Sequence, residues 1–260
     1  MSRGQPAQLL PEDHQALLLR LPAAERAAFI ARCDDVEMLA GQCVATADQP
    51  WRHVYFPLDA VFSLLVAEPA SSPEVALVGN EGLVGATVVL GVAAAPFTAV
   101  VSIGGRALRM SGARLWREVA ASPRLAQVLR QYVWILATDL GQGIACAGRH
   151  SVEQRLARWL LMAAERRRQQ TLPVTHAQLA RLLGVRRAGV TDALHHLQAQ
   201  QALVQRRGGV QVLEVAALTR AACPCHARMD ARYERIFARS SPASDRLSRF
   251  IFHNNDNFIG

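Results

Sequence analysis

The feature of this sequence that most constrains its fold is a stretch at residues 173–213, where two short helices and a hairpin are predicted in succession. Thr175 precedes the first helix and Gln178 follows three residues later, the pattern of a capping box. Gly184 then ends that helix, because glycine adopts a positive φ at low cost. A second helix is expected to begin near Arg186. Two short helices joined by such a turn predict a helix-turn-helix.

The inner and outer faces of these helices differ in chemistry. The inner faces of both helices carry small or apolar residues at helical spacing: Leu179, Ala180, Leu183, Val190, Leu194 and Leu197. The outer face of the second helix carries Arg187, Thr191 and His195 at i, i+4 and i+8, flanked by Arg186 and Asp192. In a helix-turn-helix this helix enters the DNA major groove, where arginine can bind guanine through two hydrogen bonds. The pattern therefore predicts a DNA-reading helix, with Thr175 before the first helix as a further candidate DNA contact.

A β-hairpin is predicted directly after these helices. Val204–Arg207 and Val210–Leu213 alternate in the manner of strands, and Gly208 and Gly209 supply a two-residue turn. Arg206 and Arg207 on this hairpin are expected to reach phosphates beside the groove. The alternative is a helical hairpin with a purely structural role.

Charge is distributed unevenly along the chain. All 29 basic residues are arginine. Residues 1–150 hold 12 arginines against 13 acidic residues (net −1), whereas residues 151–260 hold 17 against 8 (net +9). A basic region attached to a neutral one favours a polyanionic partner, although a solvated basic surface has the same composition.

The N-terminal half predicts an antiparallel β-barrel or roll after initial helices at Leu9–Cys33. Short apolar or β-branched runs alternate there with turn residues: Val54–Phe56, Val61–Val66, Val75–Val78, Thr87–Leu90, Thr98–Ile103 and Ala107–Met110. The uncharged segment Gly82–Gly105 is long enough to span a bilayer. Its five glycines and Pro96 favour buried strands instead.

Helical periodicity returns from Leu115 to about Arg168. A heptad seam is formed by Leu129, Val133, Leu136, Leu140, Gly143 and Ala147. A second apolar stripe comprises Leu125, Val128, Tyr132 and Ile135. Two apolar faces allow one to pack within the chain and the other against a partner, although both could be buried in one chain. Ser151 and Gln154 predict a capping box for the next helix.

These motifs together resemble a known family. Residues 151–213, which begin Ser-Val-Glu-Gln-Arg-Leu-Ala-Arg-Trp-Leu, are similar to the winged helix-turn-helix of Crp/Fnr-type bacterial transcription regulators, above all across residues 183–194. Arg-His-Val-Tyr-Phe-Pro at 52–57, Ser-Leu-Leu at 63–65 and Val-Gly-Asn-Glu-Gly-Leu-Val-Gly at 78–85 resemble the cyclic-nucleotide-type β-roll of the same family. The resemblance covers roughly residues 9–235.

The resemblance implies an α+β protein that regulates transcription and is not an enzyme. The expected domains are a sensory β-roll with N-terminal helices (1–114), a central dimerisation helix (115–150), a winged helix-turn-helix (151–239) and a mobile tail (240–260). The expected partners are double-stranded DNA at a pseudo-palindromic operator, a second copy of the chain, and RNA polymerase. The N-terminus has no apolar signal region, so we expect a cytoplasmic protein without a membrane partner.

Two departures from the family pattern affect the expected specificity. Family members that read well-known operators often carry Glu and Arg where this chain has Ala188 and Asp192. The cyclic-nucleotide pocket of ligand-binding members pairs a Gly-Glu stretch with an Arg that precedes Ser or Thr. Here the candidate ligand residues are Glu81, Gly82, Phe97 and Thr98, and Phe97 stands where that arginine would be. We therefore expect no useful binding of cyclic AMP or cyclic GMP.

Five cysteines (33, 43, 146, 223 and 225) are scattered along the chain. Cys223 and Cys225 lack a second pair nearby in sequence, so the sequence predicts no metal site and no cofactor. Two other function classes remain open at this point. One is a cyclic-nucleotide-binding module that regulates a partner protein, and the other is a metal-dependent enzyme built on the Cys223 region.

Overall fold

The computed structural model describes residues 15–66 and 72–238, and it confirms the predicted α+β class. The N-terminal half contains seven strands: β1 (Asp34–Met38), β2 (Cys43–Ala45), β3 (His53–Pro57), β4 (Val61–Leu65), β5 (Glu74–Val78), β6 (Thr98–Ile103) and β7 (Gly105–Ser111). They form two antiparallel sheets with the strand orders β1-β7-β3 and β2-β6-β4-β5. A short 3-10 helix (Leu18–Arg20) and α1 (Ala23–Ile30) precede them.

One predicted strand of the roll is wrong, and two strands were not predicted. Thr87–Leu90 lies in a 3-10 helix at Ala86–Leu90 rather than in a strand. Gly85 and Gly91 flank this helix with φ of 98° and 79°, so the backbone turns at both ends and cannot run on as a strand. The residue pattern did not predict β1 because three of its five residues are acidic and most of it is exposed. It did not predict β2 because that strand is only three residues long.

The region predicted as one central helix from 115 to 150 consists of two helices, α2 (Gly112–Ala121) and α3 (Pro123–Arg149). The break falls at Ser122, whose backbone is extended because it precedes a proline. The Ser122 hydroxyl caps α3 by accepting a hydrogen bond from Leu125 N at 3.0 Å. α3 therefore begins later than the periodicity predicted.

The two apolar stripes of α3 have different surroundings. Leu125, Val128, Tyr132 and Ile135 are buried against the roll. Not every residue of the predicted heptad seam can contact a second chain, because its first member Leu129 is 0% exposed in the same core. The large apolar side chains that α3 exposes are instead Trp134 and Ile144, at 46% and 77%.

The C-terminal half is built from helices around a small sheet. Its elements are α4 (Val152–Arg167), β8 (Thr171–Leu172), α5 (His176–Leu183), α6 (Arg187–Ala199), β9 (Leu203–Arg206), β10 (Gly209–Val212), α7 (Val215–Ala221) and α8 (Cys225–Ala238). The Ser151 capping box predicted for α4 is present, with the Gln154 side chain reaching back to the cap. The core of this half extends onto β4, β5 and β6 of the roll, so the two halves pack against each other.

No helix in residues 15–66 or 72–238 has the length and apolarity needed to cross a membrane. The uncharged segment 82–105 folds instead as a 3-10 helix and β6, with a short connection to β7. The predicted tail at 240–260 and the start of the predicted N-terminal helices lie outside the described residues.

Candidate nucleic-acid interface

The helix α5 begins as predicted but uses its capping residues differently. Thr175 Oγ1 accepts a hydrogen bond from Gln178 N at 3.2 Å, which is the N-cap contact. The Gln178 side chain does not complete the predicted capping box. Its Nε2 donates instead to the carbonyl oxygen of Ser102 on β6, at 2.7 Å. The first helix of the motif is therefore attached to the roll by a residue that the sequence assigned to local capping.

The turn between α5 and α6 has the predicted geometry. Gly184 adopts φ 64° and ψ 40°, a left-handed conformation that few other residues adopt without strain. Val185 N then donates to the carbonyl of Ala180 at 3.0 Å and closes the turn. Val190 and Leu194 behind it are 0% exposed. The crossing of the two helices is thus held by the small, glycine and apolar positions that the sequence singled out.

The outer face of α6 is exposed and basic at its N-terminal end. The side chains of Arg186, Arg187, Asp192 and His195 are all exposed. Within the part of the chain that the structure describes, the guanidinium groups of Arg186 and Arg187 have no hydrogen-bond or ion-pair partner. The partial positive charge of the helix N-terminus adds to theirs. This positive end of α6 therefore suits binding to an anionic surface.

Thr191 is less available than the sequence predicted. It is half-buried, and its hydroxyl donates to the carbonyl oxygen of Arg187 at 3.1 Å. The hydroxyl oxygen of Thr191 also lies 3.0 Å from Nδ1 of His176 on α5. Thr191 thus links the two helices of the motif as well as facing outward.

The hairpin β9–β10 lies beside the motif, with its turn one residue earlier than predicted. Its two-residue turn is formed by Arg207 and Gly208, and Arg206 pairs with Gly209 across the strands. Gly208 has φ 77°, so the turn uses the glycine that tolerates this conformation. Arg206 donates from Nε to the Gln211 side chain at 3.3 Å, and its side chain is exposed, as is that of Arg207.

Glu81 of the roll faces the C-terminal half of the chain. Its carboxylate lies 3.0 Å from Nε of Arg166 on α4, with 18% and 13% of the two side chains exposed. It also accepts hydrogen bonds from Gly79 N at 3.1 and 3.2 Å. Burial raises the pKa of Glu81. Burial opposes the charge of Arg166 too, but the carboxylates of Glu81 and Asp139 raise its pKa. The 3.0 Å contact between the two groups and the hydrogen bonds from Gly79 N favour an ionised pair.

The other three ligand candidates also have partners from within the chain. The Tyr132 ring of α3 covers Gly82 so closely that a Cβ added there would overlap the tyrosine oxygen. Thr98 is 2% exposed, and its hydroxyl accepts a hydrogen bond from Ala47 N at 3.1 Å. Phe97 is half-buried against the core of the roll. The polar groups of these candidates are thus used within the fold.

The structure brings together a group of side chains that sequence reasoning did not connect. Cys223 and Cys225 lie beside Cys146 and His150 from the end of α3. The hydrogen bond with Cys146 lowers the pKa of Cys223. The signal in the sequence was present as a Cys-x-x-x-His pair and a Cys-Pro-Cys pair, but only the fold shows that they meet.

Comparisons with known proteins agree with this architecture. Residues 154–221 match the Crp-like helix-turn-helix domain family. No curated protein sequence matches the chain significantly. Among solved structures, the c-di-GMP responsive global regulator CLP of Xanthomonas campestris is similar with TM-score 0.57 and 18% identity, covering 74% of this chain and 99% of that one.

Two further solved structures have comparable similarity. FixK2 from Bradyrhizobium japonicum has TM-score 0.57 and 15% identity, covering 74% of this chain and 98% of its own. A CRP-family transcriptional regulator from Thermus thermophilus has TM-score 0.56 and 18% identity, covering 72% and 96%. The chain therefore carries a Crp-like helix-turn-helix domain and has the fold of the Crp/Fnr-type transcription regulators.

Proposed function

We propose that the protein is a sequence-specific DNA-binding transcription regulator that acts as a homodimer on a pseudo-palindromic operator. The observation that carries this proposal is the exposed N-terminal end of α6, where the side chains of Arg186 and Arg187 have no partner within the described residues. The hairpin β9–β10, which forms the wing of this motif, presents the exposed side chains of Arg206 at the end of β9 and Arg207 in its turn. Exposed guanidinium groups on a helix end and a wing suit the DNA major groove and its flanking phosphates.

The residues of this surface have different proposed roles. Arg187 reads a guanine through two hydrogen bonds, and Arg186, Arg206 and Arg207 contact phosphates. Asp192 and His195 lie further along the exposed face of α6 and limit which bases are accepted. The same proposal places the protein in the cytoplasm with the chromosome and RNA polymerase. Its roll responds to a signal other than a cyclic mononucleotide.

A homodimer is supported by the exposed face of α3. Its members recur at the 3-4 spacing of a heptad seam and are Trp134, Ala137, Gly141, Ile144 and Gly148. An added Cβ at Gly141 or Gly148 would meet nothing within 4 Å in the same chain, so a second helix has room to approach closely. We therefore place the dimer contact on this face rather than on the predicted heptad seam that begins at Leu129.

Substitution of Ile144 by arginine tests the dimer. A charge buried between two helices costs several kcal/mol, so Ile144→Arg should sediment as a monomer. Ile144 is 77% exposed in the single chain, so the fold should be unaffected. Leu39→Arg is the matched control, because Leu39 is an exposed apolar residue of the roll at 67%. A dimeric Ile144→Arg protein would place the contact elsewhere.

DNA binding is tested by selection from random double-stranded DNA with the full chain. We expect one palindromic consensus, with half-sites about 34 Å apart, and an affinity that falls steeply with salt. The double variant Arg186→Ala/Arg187→Ala should fail to enrich that site, whereas the control Arg52→Ala, an exposed arginine of the roll, should enrich it normally. Equal enrichment by both variants would refute the assigned interface.

A further inference from the structure

Four potential metal ligands meet where α3 ends. Cys146 and His150 lie one helical turn apart at the C-terminal end of α3, and Cys223 and Cys225 flank the start of α8. The three sulfur atoms and a ring nitrogen of His150 all lie within 4.8 Å of one another. Cys146 Sγ is 3.5 Å from Cys223 Sγ, and Cys225 Sγ is 3.7 Å from His150 Nδ1.

We propose that these four side chains bind one Zn²⁺ ion in a closed, structural site. Zinc binds thiolate sulfur at about 2.3 Å and imidazole nitrogen at about 2.0 Å. In a tetrahedron of those lengths, neighbouring ligand atoms lie roughly 3.5–3.8 Å apart. The separations of 3.5 Å and 3.7 Å match this value, and every other pair of ligand atoms lies within 4.8 Å.

The burial of the cysteines favours a shared ligand over ordinary packing. Cys146, Cys223 and Cys225 are 0%, 1% and 0% exposed. They form a buried cluster of their own, separate from the two apolar cores of the described chain. All three are free thiols, and the separation of 3.5 Å between two of the sulfurs is far from a disulfide bond of about 2.05 Å.

Groups around the cluster would support a bound ion. Gln142 on α3 donates from Nε2 to Cys225 Sγ at 3.2 Å, a contact that orients a thiolate ligand. Cys223 N donates to the carbonyl of Gln154 at 3.3 Å and fixes the loop. Three thiolates and a neutral imidazole around Zn²⁺ carry a net charge of −1. The positive charge of Arg158 acts on both Cys146 and Cys223 and offsets it.

Ligand chemistry selects zinc over other occupants. Three soft thiolates and one imidazole suit Zn²⁺, and four protein ligands leave no open position for catalysis. The site would join the end of α3 to the connection between α7 and α8, which lies 77 residues away from it in sequence. Its expected effect is therefore to stabilise the junction between α3 and the C-terminal domain.

The test is a metal titration of the reduced, metal-free full chain with Co²⁺ and then Zn²⁺. We expect one Co²⁺ per chain, with tetrahedral visible bands and a thiolate-to-cobalt charge-transfer band that Zn²⁺ abolishes. Cys146→Ser, Cys223→Ser and Cys225→Ser should each weaken that band, and His150→Ala should shift it. Gln142→Leu should lower Co²⁺ affinity about tenfold or more. Cys43→Ser is the control, because Cys43 is exposed on β2.

Several results would overturn the site. One is a folded, reduced wild-type chain that shows no thiolate-to-cobalt band, and another is a band unchanged in the three cysteine variants. Purified protein that contains iron and sulfide, or a Cys146–Cys223 disulfide in place of metal, would assign the cluster to other chemistry. Because the wild-type spectrum is decisive alone, a variant that fails to fold leaves the test intact. No readout uses DNA, so the result is independent of the proposed function.

Discussion

Two groups of arginines in the C-terminal half have opposite surroundings. One group faces the N-terminal half: Arg166 pairs with Glu81 at 3.0 Å, Arg232 with Asp139 at 3.0 Å, and Arg167 donates to the carbonyl of Gly104 at 2.6 Å. The other group lies on α6 and the wing and includes Arg186, Arg187 and Arg207, whose side chains are exposed and unpaired within the described residues.

This difference shows why net charge alone is an incomplete guide to a DNA surface. A guanidinium group is buried only when it has a partner, because an unpaired buried charge is costly. The excess of +9 after residue 150 counts both groups of arginine equally. Only the exposed group can neutralise phosphates. The paired group joins the C-terminal half to the roll and to α3 instead.

The largest expected effect comes from the paired group. Arg166→Met would leave the Glu81 carboxylate buried without its cation, and should lower the free energy of unfolding by about 3–5 kcal/mol near neutral pH. Burial already raises the pKa of Glu81, so protonation should relieve part of this loss as pH falls. Urea unfolding at several pH values measures both effects.

Arg187→Met is the matched control for that experiment. Its side chain is exposed on α6, so the free energy of unfolding should change by no more than about 0.5 kcal/mol. Equal losses in the two variants would show that the two groups of arginine do not differ in structural role.

The next effect concerns the carboxylate of Glu74 on β5, which accepts hydrogen bonds from Ser63 and, at 3.0 Å, from Trp159 Nε1 of α4. Burial raises its pKa from 4.5 to about 7. The unfolded chain loses this proton near pH 4.5 but the folded chain retains it to about pH 7, so stability falls as pH rises through that window.

Removal of the Glu74 charge should therefore flatten this pH dependence. At about pH 8, Glu74→Gln should be more stable than the wild type by at most about 3 kcal/mol, with the difference vanishing below pH 4.5. The nearby charges of Arg158 and Arg166 favour the carboxylate and reduce the gain. Urea unfolding against pH measures it, with the exposed residue Glu37→Gln as control. Parallel curves for wild type and Glu74→Gln would contradict the assignment.

A smaller effect separates two arginines within the exposed group. Arg187→Ala should cost about 1–3 kcal/mol at the selected site and relax specificity at one base pair. Arg206→Ala should weaken binding to all sequences alike and lower the salt slope by about 1. Fluorescence anisotropy with the selected and a scrambled duplex distinguishes the two patterns. If both variants gave the same pattern, the division between base reading and phosphate contact would be wrong.

The smallest expected effect is that of cyclic AMP or cyclic GMP on the roll. Phe97 offers no charge to a cyclic phosphate, the Arg166 guanidinium is paired with Glu81, and Tyr132 covers Gly82. Calorimetric titration should therefore show no saturable heat. Micromolar binding would mean that the paired groups of the roll separate to admit a ligand.

Local patterns in the sequence predicted the helix-turn-helix well. The N-caps at Ser151 and Thr175, the turn at Gly184 and the exposed face of α6 all depend on residues within a few positions of one another. Helical periodicity and backbone preference act over that range, so these features are readable from residue order. The same reasoning failed at Thr87–Leu90, where β-branched residues favoured a strand but the flanking glycines turn the chain.

The sequence alone therefore determined the α+β class, the helix-turn-helix with its wing, and which arginines share the outer face of α6. Only the tertiary structure decided which arginines are paired, which face of α3 remains exposed, and that Cys146 and His150 meet Cys223 and Cys225. The physical reason is the distance along the sequence over which each effect acts. Side chains on one helix are positioned by its fixed geometry, whereas residues far apart in sequence meet only where the packing of whole elements brings them together.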